Sequence, residues 1–283
     1  MILDIDPEVF TVANQAGVVR LLEMVAEARH DWRPSMAVAV RAGEFVHAHS
    51  LRISALAELV AKTVEASAYP APGPAFLTPV TVDQFDGTVA DLQLAAVLVV
   101  EDGINEHSFV LGVARAFKRH RIVNALLHTP SWLTICHAGG KDRMHIFVKQ
   151  RRQDFQVIVR VGALLDSDRK YPQEVTVSNH RQVELIRAVD GVTAVHMWEG
   201  QEMENYLPSK VWEHHFPAKA SELANLRAML PHQRAYTDLK VLLGKPKPVI
   251  PDDLALDKTH FMELGQDAMD ELETLLSMIE EII

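Results

Sequence analysis

Residues 95–100, AAVLVV, form an unbroken apolar run that ends at once in Glu101-Asp102-Gly103. A strand apolar on both sides must be covered on both faces, and such strands belong to parallel sheets flanked by helices. Three more short apolar segments follow, at Trp132–His137, Val157–Leu165 and Val192–Met197. Helical spacing separates them, at Phe109–Phe117 and His180–Val189. This βαβ alternation predicts an α/β, Rossmann-like, mostly parallel sheet.

Prolines mark two joints, Tyr69-Pro70-Ala71-Pro72-Gly73-Pro74 with Pro79, and Lys245-Pro246-Lys247-Pro248 with Pro251. Prolines this dense do not sit inside helices or central strands. The expected organisation is a mainly helical region over residues 1–90, a sheet domain over 91–245, and a Pro-containing linker with an acidic helix over 246–283. In the first region, 11–28 and 51–68 have helical spacing; in the latter, Leu51, Ile53, Leu56, Leu59, Val60 and Val64 share a face. In the last, Phe261, Leu264, Ala268, Leu272, Leu275, Ile279 and Ile282 predict one long amphipathic helix packed back onto the domain.

The formal net charge is −10 over 283 residues, which argues against a generally nucleic-acid-binding surface. The charge is unevenly spread. Residues 252–283 hold ten acids and one base, whereas 115–152 hold nine bases and one acid. The basic window is a candidate phosphate-facing surface, and equally a solvated helix face with strand ends. No run reaches the roughly 20 apolar residues of a membrane span. The N-terminal MILDIDPEVF has acids where a secretory signal needs bases, and there is a single cysteine, Cys136. A cytoplasmic location without membrane association is expected.

Ligands of open parallel sheets gather at the carboxyl ends of the strands. Two of the predicted strands end in acids there: the first in Glu101, the third in Asp166-Ser167-Asp168. Residues 166 and 168 alternate, so both can point to one side. Carboxylates so placed suit Mg²⁺ or Mn²⁺, and they equally suit helix capping and turn closure.

Four segments carry a resemblance. VLVVEDGINEHSFV resembles the first motif of TOPRIM domains, and LLDSDR is similar to their Asp-x-Asp motif. Gly139-Gly140-Lys141 stands where those domains turn on glycine, and EMENYLP at 202–208 resembles a Glu-Asn-Tyr-Leu element of OLD-family nucleases. The resemblance covers about residues 94–245 and implies a TOPRIM fold.

It further implies a nuclease hydrolysing phosphodiester bonds of DNA or RNA with one or two Mg²⁺ or Mn²⁺ ions. Glu101, Asp166 and Asp168 would bind metal, Glu204 would add a further ligand, and Lys240 would support the reaction. Glu101 would also be placed as general base. Where the family often has an acid soon after its first glutamate, this chain has Asn105 and Glu106. The family commonly works with an ABC-type ATPase, in anti-phage defence among other settings. The chain has no G-x-x-x-x-G-K-[ST] sequence, so such an ATPase would be a separate protein. A homo-oligomer is a further candidate assembly. The alternative reading is a non-catalytic regulator that keeps the fold and binds a partner. The histidines at 47, 49, 214 and 215 lack a matching second pair for zinc, and Cys136 reads as strand core.

Overall fold

A computed structural model of the chain describes residues 1–49, 54–68, 77–101, 103–244 and 248–283. It is α/β, with two all-parallel sheets flanked by helices. The chain divides into two units. One holds residues 1–95 with 154–159 and Ile283, the other 96–153 with 160–282.

The first unit contains β1 (Ile2–Ile5), α1 (Gln15–Ala26), β2 (Asp31–Trp32), α2 (Met36–His49), α3 (Ser54–Ser67), β3 (Thr78–Val80) and α4 (Phe85–Gln93). The helices anticipated from the spacing are present. They are joined by a small sheet of order β2-β1-β3, absent from the mainly helical expectation. Strands of four, two and three residues are too short to show a period of two in the sequence. Leu3, Ile5, Leu21, Leu22, Leu56 and Val60 are buried in its core. Leu51, Ile53 and the joint at 69–74 lie outside the described residues.

One predicted strand is corrected here. The apolar segment 157–165 is not one strand. Its strand part starts at Val161, and residues 154–159 belong to the first unit. The reason is Asp91 of α4, fully buried, whose carboxylate accepts the backbone N–H groups of Gln156, Val157 and Ile158 at 2.6–3.1 Å. These charge-assisted bonds satisfy backbone donors that a ladder would otherwise take.

The second unit begins with β4 (Ala96–Val100), α5 (Gly103–Ala116), α6 (His120–Leu127), β5 (Leu133–His137), α7 (Met144–Arg152), β6 (Val161–Leu165), α8 (Val177–Arg187) and β7 (Ala194–Met197). It continues through α9 (Ser209–His215), α10 (Ala220–Ala228), α11 (Pro231–Arg234), α12 (Leu239–Leu243), α13 (Lys258–Phe261) and α14 (Gln266–Ile282). Its sheet has the order β5-β4-β6-β7. Val99 pairs with Cys136 on one side and Ala163 on the other, and Ala163 in turn with Val195. Every residue of β4 and β6 is buried, as their unbroken apolar composition requires. The helices α5, α6 and α14 pack together against this sheet, and α7 and α8 form a second group against it.

The expected single C-terminal helix is broken. Gly265, at φ 91°, separates α13 and a 3-10 turn (Met262–Leu264) from α14. A side chain there would also lie 2.8 Å from Pro231, so both conformation and space call for glycine. The apolar stripe still buries Phe261, Leu264, Leu272, Leu275, Ile279 and Ile282. Among the described residues, no helix is long and apolar enough to cross a membrane.

Candidate active site

The central strands β4 and β6 are hydrogen-bonded neighbours, and their carboxyl ends release Glu101 and Asp166 side by side. The Asp166 N–H points to Glu101 Oε1 at 3.3 Å. Strand β5 runs from β4 to one side and β6 lies on the other, so the crevice between them is where an open α/β sheet gathers ligands. A cavity of about 830 Å³ opens there.

The turn after β6 aims its two aspartates. Ser167 is fully buried, its hydroxyl donating to the Gly200 carbonyl, while its own carbonyl accepts from Thr176 Oγ1 at 2.6 Å. Asp168 adopts φ 55° and donates its N–H to Gln201 O at 2.9 Å. Burying the residue between them leaves Asp166 and Asp168 both on the wall of the cavity. Left-handed backbone at an aspartate is tolerated because short polar side chains bond locally.

Glu204 arrives from a 3-10 turn (Met203–Tyr206) that other residues hold in place. Asn205 donates to Arg234 O and Thr237 O at 2.8 and 2.9 Å, and accepts from Glu202 N at 3.0 Å. The Tyr206 hydroxyl accepts from Gly200 N at 2.8 Å and donates to Glu271. The buried Trp198 packs its ring against Tyr206, centroids 4.3 Å apart, and Trp212, also buried, packs against Phe216. Met203 N donates to Asp166 Oδ1 at 3.0 Å, tying the turn to the end of β6. Lys240 comes from α12, its ammonium 2.6 Å from Glu202 and 3.7 Å from Glu204.

All five residues singled out in the sequence, Glu101, Asp166, Asp168, Glu204 and Lys240, therefore line one cavity. Sequence reasoning gave no role to five others. Glu202 and Lys141 also line the wall, and Asn105 and Glu106, noted only as a departure, contribute buried side chains to it. Lys141 follows Gly139 and Gly140, at φ 73° and 118°, and that glycine pair was the available signal. Asn179, in the first turn of α8, had none; it donates to Asp168 Oδ2 at 3.1 Å and Asp166 O at 2.8 Å.

Six acids face two lysines across this cavity, and the electrostatics reflect that imbalance. Burial, then the charges of Glu101 and Glu204, push the Asp166 carboxyl well above the ordinary carboxylate range, against the Met203 N–H. Burial also raises Glu202, outweighing its bond to Lys240. Asp168 goes the other way. Burial would raise it, but the hydrogen bonds from Lys141 and Asn179 and the charges of Lys141 and Lys240 hold it below its usual value. Burial opposes the charge on Lys141 and Lys240, yet their carboxylate partners raise both.

Among the described residues, no three His, Cys, Asp or Glu side chains are gathered as an ion would require. The acids share a wall, while Asp168 is turned to Lys141 and Glu202 to Lys240. The donor set nevertheless fits a hard divalent cation. It consists of carboxylate oxygens, six acids to two lysines along one wall, and such oxygens are the ligands hard divalent ions take.

The basic window at 115–152 is not one open surface. Arg115 pairs with Asp252, Arg119 with Glu273 and Glu280, and Arg152 with Asp190, while Lys141 turns into the cavity. Much of its charge is used inside the fold. No known protein family, characterised protein or solved structure matches the chain.

Proposed function

We propose that the chain is a Mg²⁺- or Mn²⁺-dependent hydrolase of nucleic-acid phosphodiester bonds, built on a TOPRIM-type site of the OLD-family kind. The observation that carries this reading is the convergence of Glu101, Asp166, Asp168, Glu204 and Lys240, from four separate segments, on one cavity at the strand ends. The same residues follow from the resemblance.

Glu101, Asp166, Asp168 and Glu204 would hold the metal. When bound, it supplies Lewis-acid polarisation of the phosphoryl oxygens. Glu101, at the end of β4 and facing the cavity, accepts a proton from the attacking water. Lys240 supplies positive charge where negative charge develops on the phosphoryl group. Its ion pairs with Glu202 and Glu204 hold the ammonium over the cavity beforehand. The turn at Met203–Tyr206 positions Glu204 and, through the Met203 N–H, orients Asp166.

A separate ABC-type ATPase and a role in anti-phage defence belong to the same proposal, on the resemblance alone. A second reading, a partner-binding regulator without catalysis, draws on the ion pairs Lys141–Asp168 and Lys240–Glu202, which already give those acids cations.

The deciding experiment is cleavage of plasmid DNA and tRNA with Mg²⁺ or Mn²⁺, by wild type and Glu101→Ala. Cleavage reduced on the order of 10²–10⁴-fold in the variant is the expected result. Equal cleavage by both proteins would remove Glu101 from the chemistry. No cleavage by wild type, with or without an ATPase partner, would favour the regulator.

A further inference from the structure

The cavity holds a cation with no part in the reaction described above. Lys141 Nζ lies 2.5 Å from Asp168 Oδ2 and 3.2 Å from Asn179 Oδ1. Asn179, 1% exposed, is fixed by donating its amide to Asp166 O and to the same Asp168 oxygen. Its carbonyl oxygen is thereby turned to Lys141 and can hold the ammonium whether or not Asp168 does.

We propose that Lys141 is the resident counter-cation of Asp168. It occupies that carboxylate while the site is metal-free, yields it to an entering divalent ion, and then offers its ammonium to an anionic oxygen of the substrate. This rests on the metal-site reading above. The exchange rests on competition for one oxygen, since an ion that takes Asp168 Oδ2 meets the ammonium already there. A hard cation needs the oxygen lone pairs of that carboxylate, and Oδ2 already receives both Lys141 and Asn179.

Lysine suits an exchangeable role because its charge is a compact point on a flexible stem. The stem here leaves a glycine turn with open space beside Gly140, and the side chain is one-third exposed. Glu101 and Asp142 add attraction, which keeps the ammonium at the cavity wall after it leaves Asp168. Arg143, two residues on, is a contrasting cation on the same turn. It lies over the Phe147 ring at 5.3 Å instead of meeting a cavity carboxylate.

The test is calorimetric titration of the full chain with Mn²⁺, for wild type, Lys141→Met, Lys141→Arg and Arg143→Gln. Removing the competing ion pair should tighten Mn²⁺ binding about fivefold in Lys141→Met, while Arg143→Gln stays within about twofold of wild type. Lys141→Arg keeps the charge and should bind no more tightly than wild type, which preserves the test if the methionine variant does not fold. With Mn²⁺ saturating, inorganic phosphate should bind Lys141→Met more weakly than wild type. Unchanged or weaker Mn²⁺ binding in Lys141→Met would overturn the exchange and leave the metal site standing. So would an equal gain in Arg143→Gln, which would reduce the effect to long-range charge. Wild type that binds no Mn²⁺ would overturn the metal site and the exchange together.

Discussion

Two acid-rich regions of this chain differ in what balances them. In the C-terminal segment, Glu273 meets Arg119 and Lys258, Glu280 meets Arg119, and Asp252 meets Arg115. Glu263 meets Arg234 and the Ser209 N–H, and Glu271 receives the Tyr206 hydroxyl and the Glu199 N–H. At the strand ends, six acids share two lysines, and burial, then the charges of Glu101 and Glu204, oppose ionisation of Asp166. The first arrangement holds the fold together. The second costs the fold something, and proteins keep such costs at functional sites. The number of acids does not distinguish the regions; the supply of cations and donors does.

That contrast can be broken by taking one charge from each side. The largest effect is expected at Arg234, 3% exposed, which bonds Glu263, Ser209 Oγ and Leu207 O. Arg234→Met should destabilise the chain by about 3 kcal/mol in urea unfolding, because it strips buried partners of their donor. A loss near zero would mean the matched acids are not structural.

Asp166→Asn should act in the opposite direction, stabilising the metal-free protein by about 1 kcal/mol. The sign follows from its raised folded-state pKa. Between the unfolded and folded values the native state holds more protons, so wild-type stability falls as pH rises through that window. The advantage of the variant should therefore be complete above the folded value and vanish below the unfolded one. Unfolding curves across pH would show it, and a destabilised variant would contradict it.

The smallest effect belongs to Glu273→Gln, about 0.5 kcal/mol at neutral pH and less in high salt, since the pair is about one-third exposed and Arg119 keeps Glu280. Here the bond from Lys258, with Arg119, lowers the folded-state pKa. The contribution is present above the ordinary glutamate value and lost as pH falls through the lowered one. A deficit that persists into strong acid would assign it to packing instead of charge.

The parts of this molecule that were legible in the sequence are those with a strong local signal. Strand β4 announced itself by an unbroken apolar run and β6 by an apolar segment that overshot its start, and Glu101, Asp166 and Asp168 by standing just after them. The small sheet of the first unit was hidden because its strands are two to four residues long. The false start of β6 at residue 157 came from an apolar run whose N–H groups are claimed by Asp91, 65 residues or more away in sequence. Asn179 was missed for the same reason, since its role depends on a partner brought near only by the fold. Lys141 had a local signal in the glycine pair before it, but its partner Asp168 did not show there. The basic window was legible as charge, but its pairing with the acidic tail was not.

The most direct test of the central claim, that the strand-end acids form a divalent-cation site, is Mn²⁺ titration of wild type beside Asp166→Asn. The cation deficit predicts saturable binding by the wild type that is lost in the variant, while the variant remains folded and at least as stable. Absent binding in the wild type, or binding undiminished in Asp166→Asn, would contradict the claim.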